Sequence, residues 1–188
     1  MDKSIADIAQ IQTGIYEKPK LMGEVFYVQA RHFDSNRNFI DTVKPDLPNE
    51  AKLQKHFLQI GDVLVAAKGY DHFAVDYKGK IKPAVASSMF IVLRLFDTSK
   101  ILPEFLAWFI NQPNTQNILG ESSKGTALPS ITKSDIGNLK ITIPTIKKQK
   151  AILAIQALLK KEDAIRMKIK NLRALQIQHL ILNEINKK

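Results

Sequence analysis

Apolar and polar residues alternate with a period that changes along the chain, and the longest regular block is the last one. Between Lys147 and Lys188 there is no Gly and no Pro, and Lys, Gln, Leu, Ile, Ala and Arg, all tolerated or favoured in helices, fill the stretch. Apolar side chains recur at Ile152, Ile155, Leu158, Leu159, Ile165, Ile169, Leu172, Leu175, Leu180, Leu182 and Ile185, mostly at spacings of three and four. A single helix here would be about 63 Å long at ~1.5 Å per residue, several times the length of an average helix of ~11–12 residues. Such a rod has apolar surface beyond the reach of its own domain, which predicts pairing with another helix. Glu162, Arg166, Gln176 and His179 interrupt a strict heptad, as residues that fix register at a cost in stability do. The competing reading is an ordinary amphipathic helix lying on its own domain and broken near Glu162-Asp163.

Upstream the period shortens. Ser4 to Ile11 is a short amphipathic opening that Thr13-Gly14 ends. Val25 to Ala30, rich in β-branched and aromatic residues, predicts a strand. Arg31 to Asn38 predicts a loop, and Asp41 to Asn49, with Pro45 and Pro48, an irregular stretch. Gly61-Asp62 predicts a turn into the continuous apolar strand Val63 to Ala67, covered on both faces. Further strands are predicted over Phe73 to Tyr77, Ser87 to Leu95 and Leu139 to Ile143, with turns at Lys68 to Asp71 and Lys78 to Lys80. Pro103 suits the first position of a buried helix through Ile110, and Pro113 starts a second that Gly120 can cap, with Glu121 to Ser130 as loop. Thr132-Lys133-Ser134-Asp135 has the form of a capping box before one helical turn. The resulting expectation is an α+β chain: a mixed-sheet globular domain over 1–144, then a long coiled-coil helix over 145–188.

Composition narrows the class. The apolar fraction of 45% is ordinary for a packed soluble core. With no cysteine, disulfides and thiolate metal sites are excluded, and a reducing cytosol is compatible. No apolar run approaches a membrane span and none opens the chain as a signal, so a soluble cytoplasmic protein is expected. The net charge of +10 is unevenly spread: residues 1–143 hold 17 Lys/Arg and 15 Asp/Glu, residues 144–188 hold 11 and 3. A basic rod could face phosphates or an acidic protein, whereas a nearly neutral head would have to bind DNA through local basic loops.

Catalytic signatures are missing or only apparent. Gly120 to Thr126 has the look of a phosphate-binding loop, but Lys124 precedes Gly125 and no strand-like residues precede Gly120. Asp46, Glu50 and Lys52 spell the acids and lysine of many metal-dependent nucleases, yet the segment holds two prolines and lacks strand character. His32, His56, His72 and His179 are scattered without metal-ligand spacing, and no glycine-rich cofactor fingerprint is present. The pattern is that of a binding protein, with no metal and no cofactor expected in this chain.

Gly125-Thr126-Ala127-Leu128-Pro129-Ser130-Ile131-Thr132-Lys133-Ser134-Asp135-Ile136, then Leu139 to Pro144, then Gln149 and Ile152, resemble one family closely. They are similar to the end of a target recognition domain and the start of the long helix in specificity subunits of type I restriction-modification enzymes. Ile5 to Gly14 looks like that family's opening and Gly61 to Ala66 like its central strand; Ser87 to Leu95 and Leu102 to Asn111 fall where it places a strand and an apolar helix. Two departures stand out. Thr145-Ile146-Lys147 and Lys148 replace the usual second proline and glutamate, and one recognition domain with one helix stands where family members commonly carry two of each.

The resemblance implies half a specificity subunit, a non-catalytic DNA-binding adaptor. Its head would read a half-site of double-stranded DNA, and its rod would set distance and dock partners. It also implies a methyltransferase (modification) subunit and an ATP-driven restriction subunit, which would carry the S-adenosylmethionine and Mg-ATP. Donors in predicted loops make Arg31, His32, Lys68, Tyr70, Lys80, Lys82, Ser122, Ser123, Lys124 and Thr126 the candidates for DNA contact, led by Lys124 and Thr126 beside the family motif. Ile152, Ile155, Leu158, Leu159, Ile165, Ile169, Leu172 and Leu180 are the candidates for the helix seam, in a homodimer or with a second half-subunit. Paired rods would give an inverted-repeat target with an unread spacer. The rival reading is a coiled-coil interaction adaptor without DNA readout.

Overall fold

The computed structural model describes residues 2–20, 22–34, 36–40, 43–69, 72–122 and 129–186. The chain divides into two compact units, Met1–Gln149 and Lys150–Lys188.

The first unit is the head. β1 (Asp2–Ser4) leads through a 3-10 turn (Ile5–Asp7) into β2 (Ala9–Thr13), so the amphipathic opening resolves into strand, turn and strand. β3 (Phe26–Val28) is followed by a second 3-10 turn (Ala30–His32) and by the short helix α1 (Ala51–Gln54). β4 (Val63–Ala66), β5 (Ala74–Asp76), β6 (Ala84–Ala86) and β7 (Phe90–Leu95) complete the middle of the chain. β2, β7, β4 and β5 form an antiparallel sheet in that order, β3 pairs with β6 in parallel, and β1 pairs with β8 (Lys140–Thr142).

Burial follows the alternation of side chains. All four residues of β4 are buried. Leu64 and Ala66 join a cluster with Val28, Phe73, Phe90 and Val92, while Val25, Tyr27, Leu47, Leu53 and Val85 form another. Tyr27 and Val85 therefore serve one cluster while Val28, Ala84 and Ala86 serve the other, as a strand with a period of two requires. α2 (Pro103–Ile110) starts on its proline and buries Phe105, Leu106, Ala107 and Ile110.

Three expectations need correction. The stretch from Ser87 to Leu95 is not one strand: Ser87 N–H bonds the Val28 carbonyl, Phe90 N–H turns back onto the Ser87 carbonyl, and β7 begins at Phe90. The preceding strand β6 had no signal beyond Ala-Val-Ala. Gly120 does not end its helix, because α3 (Pro113–Ser122) runs through it, so the loop starts later than Glu121. Arg31 to Asn38 is not all loop, since the 3-10 turn covers its first residues. The capping box forms as expected before α4 (Lys133–Asn138): Asp135 N–H donates to Thr132 Oγ1 at 3.2 Å, and Thr132 N–H donates to Asp135 Oδ2 at 2.8 Å.

The second unit is the body of α5 (Ile146–Asn186), one unbroken helix of 41 residues. The single long helix is as expected, and the break at Glu162-Asp163 of the competing reading does not occur; Glu162 instead accepts from Arg166 one turn on. From Ala157 to Ile185 every residue whose side chain is described is exposed. Ile155, Leu158, Leu159, Ile165, Ile169, Leu172 and Leu180 are all exposed, while Ile152 is half-buried. Exposed Met167, Ile177 and Ile181 lie off the stripe, so the apolar surface is wider than a two-residue seam.

Candidate nucleic-acid interface

The head has two ends, fixed by strand register. Val65 pairs with Ile91 and Ala74, and Ile91 in turn pairs with Thr13. The chain therefore leaves β2 at Gly14, leaves β4 at Ala67-Lys68 and enters β5 and β7 all at one end. β3 and β6 run in parallel, and beyond them Gln29 and Ser87 reach that end too, where Ile15 bridges to Ser87. Gly14 is needed here, since a Cβ would lie 2.1 Å from the Ser87 carbonyl oxygen. At the other end are the turn at Gly61-Asp62, the stretch from Tyr77 to Pro83, and the chain leaving β7 toward Leu102. We call these the loop end and the root end.

The loop end holds Arg31, His32 and Lys68 of the candidate contacts. The Gln29 N–H points at His32 Nδ1 at 3.2 Å and the Arg31 Nε–H at His32 Nε2 at 3.4 Å, and a neutral ring accepts only one of the two. Burial lowers the His32 pKa first and the Arg31 charge lowers it further, against an opposing pull from Asp46. Arg31, His32, Ile40, Val43, Lys44 and Asp46 line a cavity of about 300 Å³, in which Asp46 Oδ1 is tied to the Tyr27 N–H at 3.0 Å. Lys68 is exposed and bridges to Ser130, with Gly69 N–H on the Pro129 carbonyl and Ile131 N–H on the Ala67 carbonyl. The described part of the family motif thus returns to the end of β4. Tyr70, Ser123, Lys124 and Thr126 lie outside the described residues, and of Ser122 only the backbone, at the end of α3, lies within them.

Lys80 and Lys82 lie at the root end. Both are exposed in the stretch between β5 and β6, where Gly61 N–H bonds the Tyr77 carbonyl and Phe26 N–H bonds the Pro83 carbonyl. No single surface of the head presents them together with Lys68.

Sequence reasoning passed over several exposed residues on the segments that follow Ile15 and precede Asp46. Tyr16 is 74% exposed, and Lys18, Lys20 and Lys44 are exposed. Their segments are held by Lys20 N–H on the Asp46 carbonyl at 2.7 Å and by Tyr27, whose hydroxyl donates to the Ile15 carbonyl and accepts the Glu17 N–H. The available signal was an aromatic followed by Lys-Pro-Lys after Thr13-Gly14.

Polar bookkeeping separates the ends further. Buried polar atoms normally have hydrogen-bond partners. Among the described residues, the buried side-chain atoms without one are Gln29 Oε1, His72 Nε2 and Ser87 Oγ, and all three belong to the loop end. At the root end Asp62, 1% exposed, accepts Arg94 Nε at 2.8 Å, Arg94 Nη2 at 2.7 Å and the Gln59 N–H at 2.8 Å. The carboxylate holds the Arg94 pKa above its ordinary value. Gln149, fully buried in the first turn of α5, accepts the Leu102 N–H and donates to the Lys100 and Pro144 carbonyls, each at 2.8 Å.

Nuclease chemistry finds no support. Asp46 serves the Tyr27 backbone, and Lys52 pairs with Glu17 at 2.9 Å and Glu50 at 3.2 Å. Among the described residues no three His, Asp or Glu side chains group as metal ligands.

A family model described as the type I restriction modification DNA specificity domain matches residues 1–173. The chain belongs to that family. Its α+β fold with a long C-terminal helix is shared with solved specificity subunits. The HsdS subunit of Thermoanaerobacter tengcongensis aligns over 88% of this chain at TM-score 0.64 and 20% identity. The type I S subunit of M. genitalium aligns over 86% at TM-score 0.57 and 14% identity. A chain from a structure addressing complex assembly and conformational transition of the type I R-M system aligns over 96% at TM-score 0.54 and 15% identity. This chain spans 43%, 39% and 43% of their respective lengths. No curated protein matches it. Among the described residues no helix is long and apolar enough to cross a membrane.

Proposed function

We propose that this chain is the DNA-reading half of a bipartite specificity subunit, with the loop end of its head against one half-site of a double-stranded target. The observation that carries the reading is the gathering, at one end of the sheet, of exposed cations and all three unpartnered buried polar atoms. Cations on phosphates supply affinity and register, and donors and acceptors on base edges supply specificity. Arg31, His32, Lys68 and the adjoining Tyr16, Lys18, Lys20 and Lys44 are the described contacts. Tyr70, Ser122, Ser123, Lys124 and Thr126 are proposed contacts on their sequence alone, and Lys80 and Lys82, at the root end, are not contacts.

The exposed apolar residues of α5 take a second helix, from another copy of this chain or from a second half-subunit. Methylation and restriction belong to partner subunits, which bring the S-adenosylmethionine and Mg-ATP, and the chain itself catalyses nothing. The assembly works in the cytoplasm, where its DNA is.

The test contrasts the two ends in a salt-titrated binding assay on duplex DNA. Lys68→Ala and Arg31→Ala each lower the slope of log affinity against log salt by about 0.9, the value of one phosphate contact. Lys82→Ala leaves it unchanged. Equal effects from both ends, or no salt dependence in the wild type, would reject the assignment in favour of a protein-binding adaptor. Methylome mapping with a cognate modification subunit reports the site and its symmetry.

A further inference from the structure

The segment from Gln29 to Ile40 carries both Arg31 and His32 and one wall of the cavity, and its tip is built around Arg37. Arg37 is the non-glycine residue with positive φ among those described, at 66°. Asn36 and Asn38 flank it, and asparagine occupies this left-handed region far more readily than arginine does. An arginine kept there has to be held by its side chain.

The contacts that hold it are specific. Arg37 Nη1 donates to Asn111 Oδ1 at 2.7 Å, just past the end of α2. Asn111 is itself fastened to β5, taking the Ala74 N–H at 2.9 Å and giving its amide to the Ala74 carbonyl at 2.7 Å. The guanidinium carbon also lies 5.4 Å from the Phe73 ring centre, within cation–π range. Phe73 packs edge-on against Phe33 at 5.6 Å, and Phe33 against Phe39 at 5.5 Å. Backbone bonds close the turn beneath, from Arg37 N–H to the Asp34 carbonyl and from Ile40 N–H to the His32 carbonyl, with Asn38 N–H on Asp34 Oδ1.

We infer that Arg37 is a positioning residue for DNA readout: it fixes the turn bearing Arg31 and His32 on the sheet and does not itself bind phosphate. Its planar fork meets Asn111 and its face meets the Phe73 ring, an arrangement a lysine cannot reproduce. The inference rests on the DNA-reading assignment of the loop end.

The experiment uses the full chain and a duplex selected from a randomised pool, compared with a scrambled duplex across a salt series. Arg37→Lys and Arg37→Ala should both reduce discrimination between the duplexes at least tenfold, and any fall in salt slope, through the displaced Arg31, should be equal in the two. In both variants the Ile40 amide should exchange its hydrogen at least tenfold faster. If Arg37→Ala lowers the salt slope by about 0.9 and Arg37→Lys restores it, Arg37 is a phosphate contact and the inference is wrong. Unchanged discrimination in Arg37→Lys, with the wild type discriminating, also overturns it, even where Arg37→Ala fails to fold. A wild type that does not discriminate removes the DNA-reading assignment instead, and unchanged Ile40 exchange in that case removes the positioning role as well.

Discussion

The two ends of the head solve opposite problems with the same kinds of side chain. At the root end a buried carboxylate and a buried amide have every strong bonding direction filled: Asp62 by Arg94 and Gln59, Gln149 by three backbone groups. At the loop end Gln29, His72 and Ser87 each bury a polar atom without a partner. An unmade buried hydrogen bond costs about 1–3 kcal/mol, so the loop end is held at a cost that the root end avoids. The contrast teaches that bonding completeness separates the two ends where charge does not. Lysines occur at both ends, but among the described residues the unsatisfied buried atoms occur at one.

The sharpest way to break this comparison is to cut the root. Arg94→Met strands a nearly fully buried carboxylate and should cost about 3–5 kcal/mol, read as a shifted urea midpoint; a loss below 1 kcal/mol would make the root end no better bonded than the loop end. Gln149→Leu leaves the Leu102 N–H and the Lys100 and Pro144 carbonyls without their side-chain partner. It should cost about 2–3 kcal/mol, and Gln149→Glu, which sets a buried carboxylate against the two carbonyls, at least as much. Acidification should act on the loop end through His32. Its ring binds a proton less readily folded than unfolded, where the ordinary value is 6.5. Stability is therefore unaffected above pH 6.5 and falls as the pH drops from there through the lowered folded value. Melting temperatures of wild type and His32→Gln should coincide in their dependence above that window and diverge within it. The smallest effect belongs to Ser87→Ala, which removes an unpartnered hydroxyl and should change stability by less than about 0.5 kcal/mol or raise it. A loss above 1 kcal/mol would mean that the hydroxyl has a partner and that the ends differ less than they look.

Much of the fold could be read directly because its signals are local. β4 is a run of apolar residues between turn residues, α2 begins on a proline, and Thr132 and Asp135 cap α4 with their own side chains. α5 follows from composition alone. What escaped depends on partners far along the chain. β6 is three small residues that become a strand because β3 lies beside them, and Gly120 stays helical because nothing opens a left-handed turn there. The proposed contacts were only partly separable by sequence. Arg31, His32 and Lys68 were marked by being donors in loops, but so were Lys80 and Lys82, and only the register of β4 with β5 and β7 separates the groups. Arg37 carried no mark at all, because its backbone angle and its bond to Asn111 join positions 74 residues apart.

One consequence follows from the side chain chosen at the base of α5. A primary amide carries no charge at any pH the protein survives, so the three bonds of Gln149 are blind to acidity. Imidazole is not. As a solution is made mildly acidic, the contacts around His32 should weaken while those of Gln149 in the first turn of α5 stay as they are.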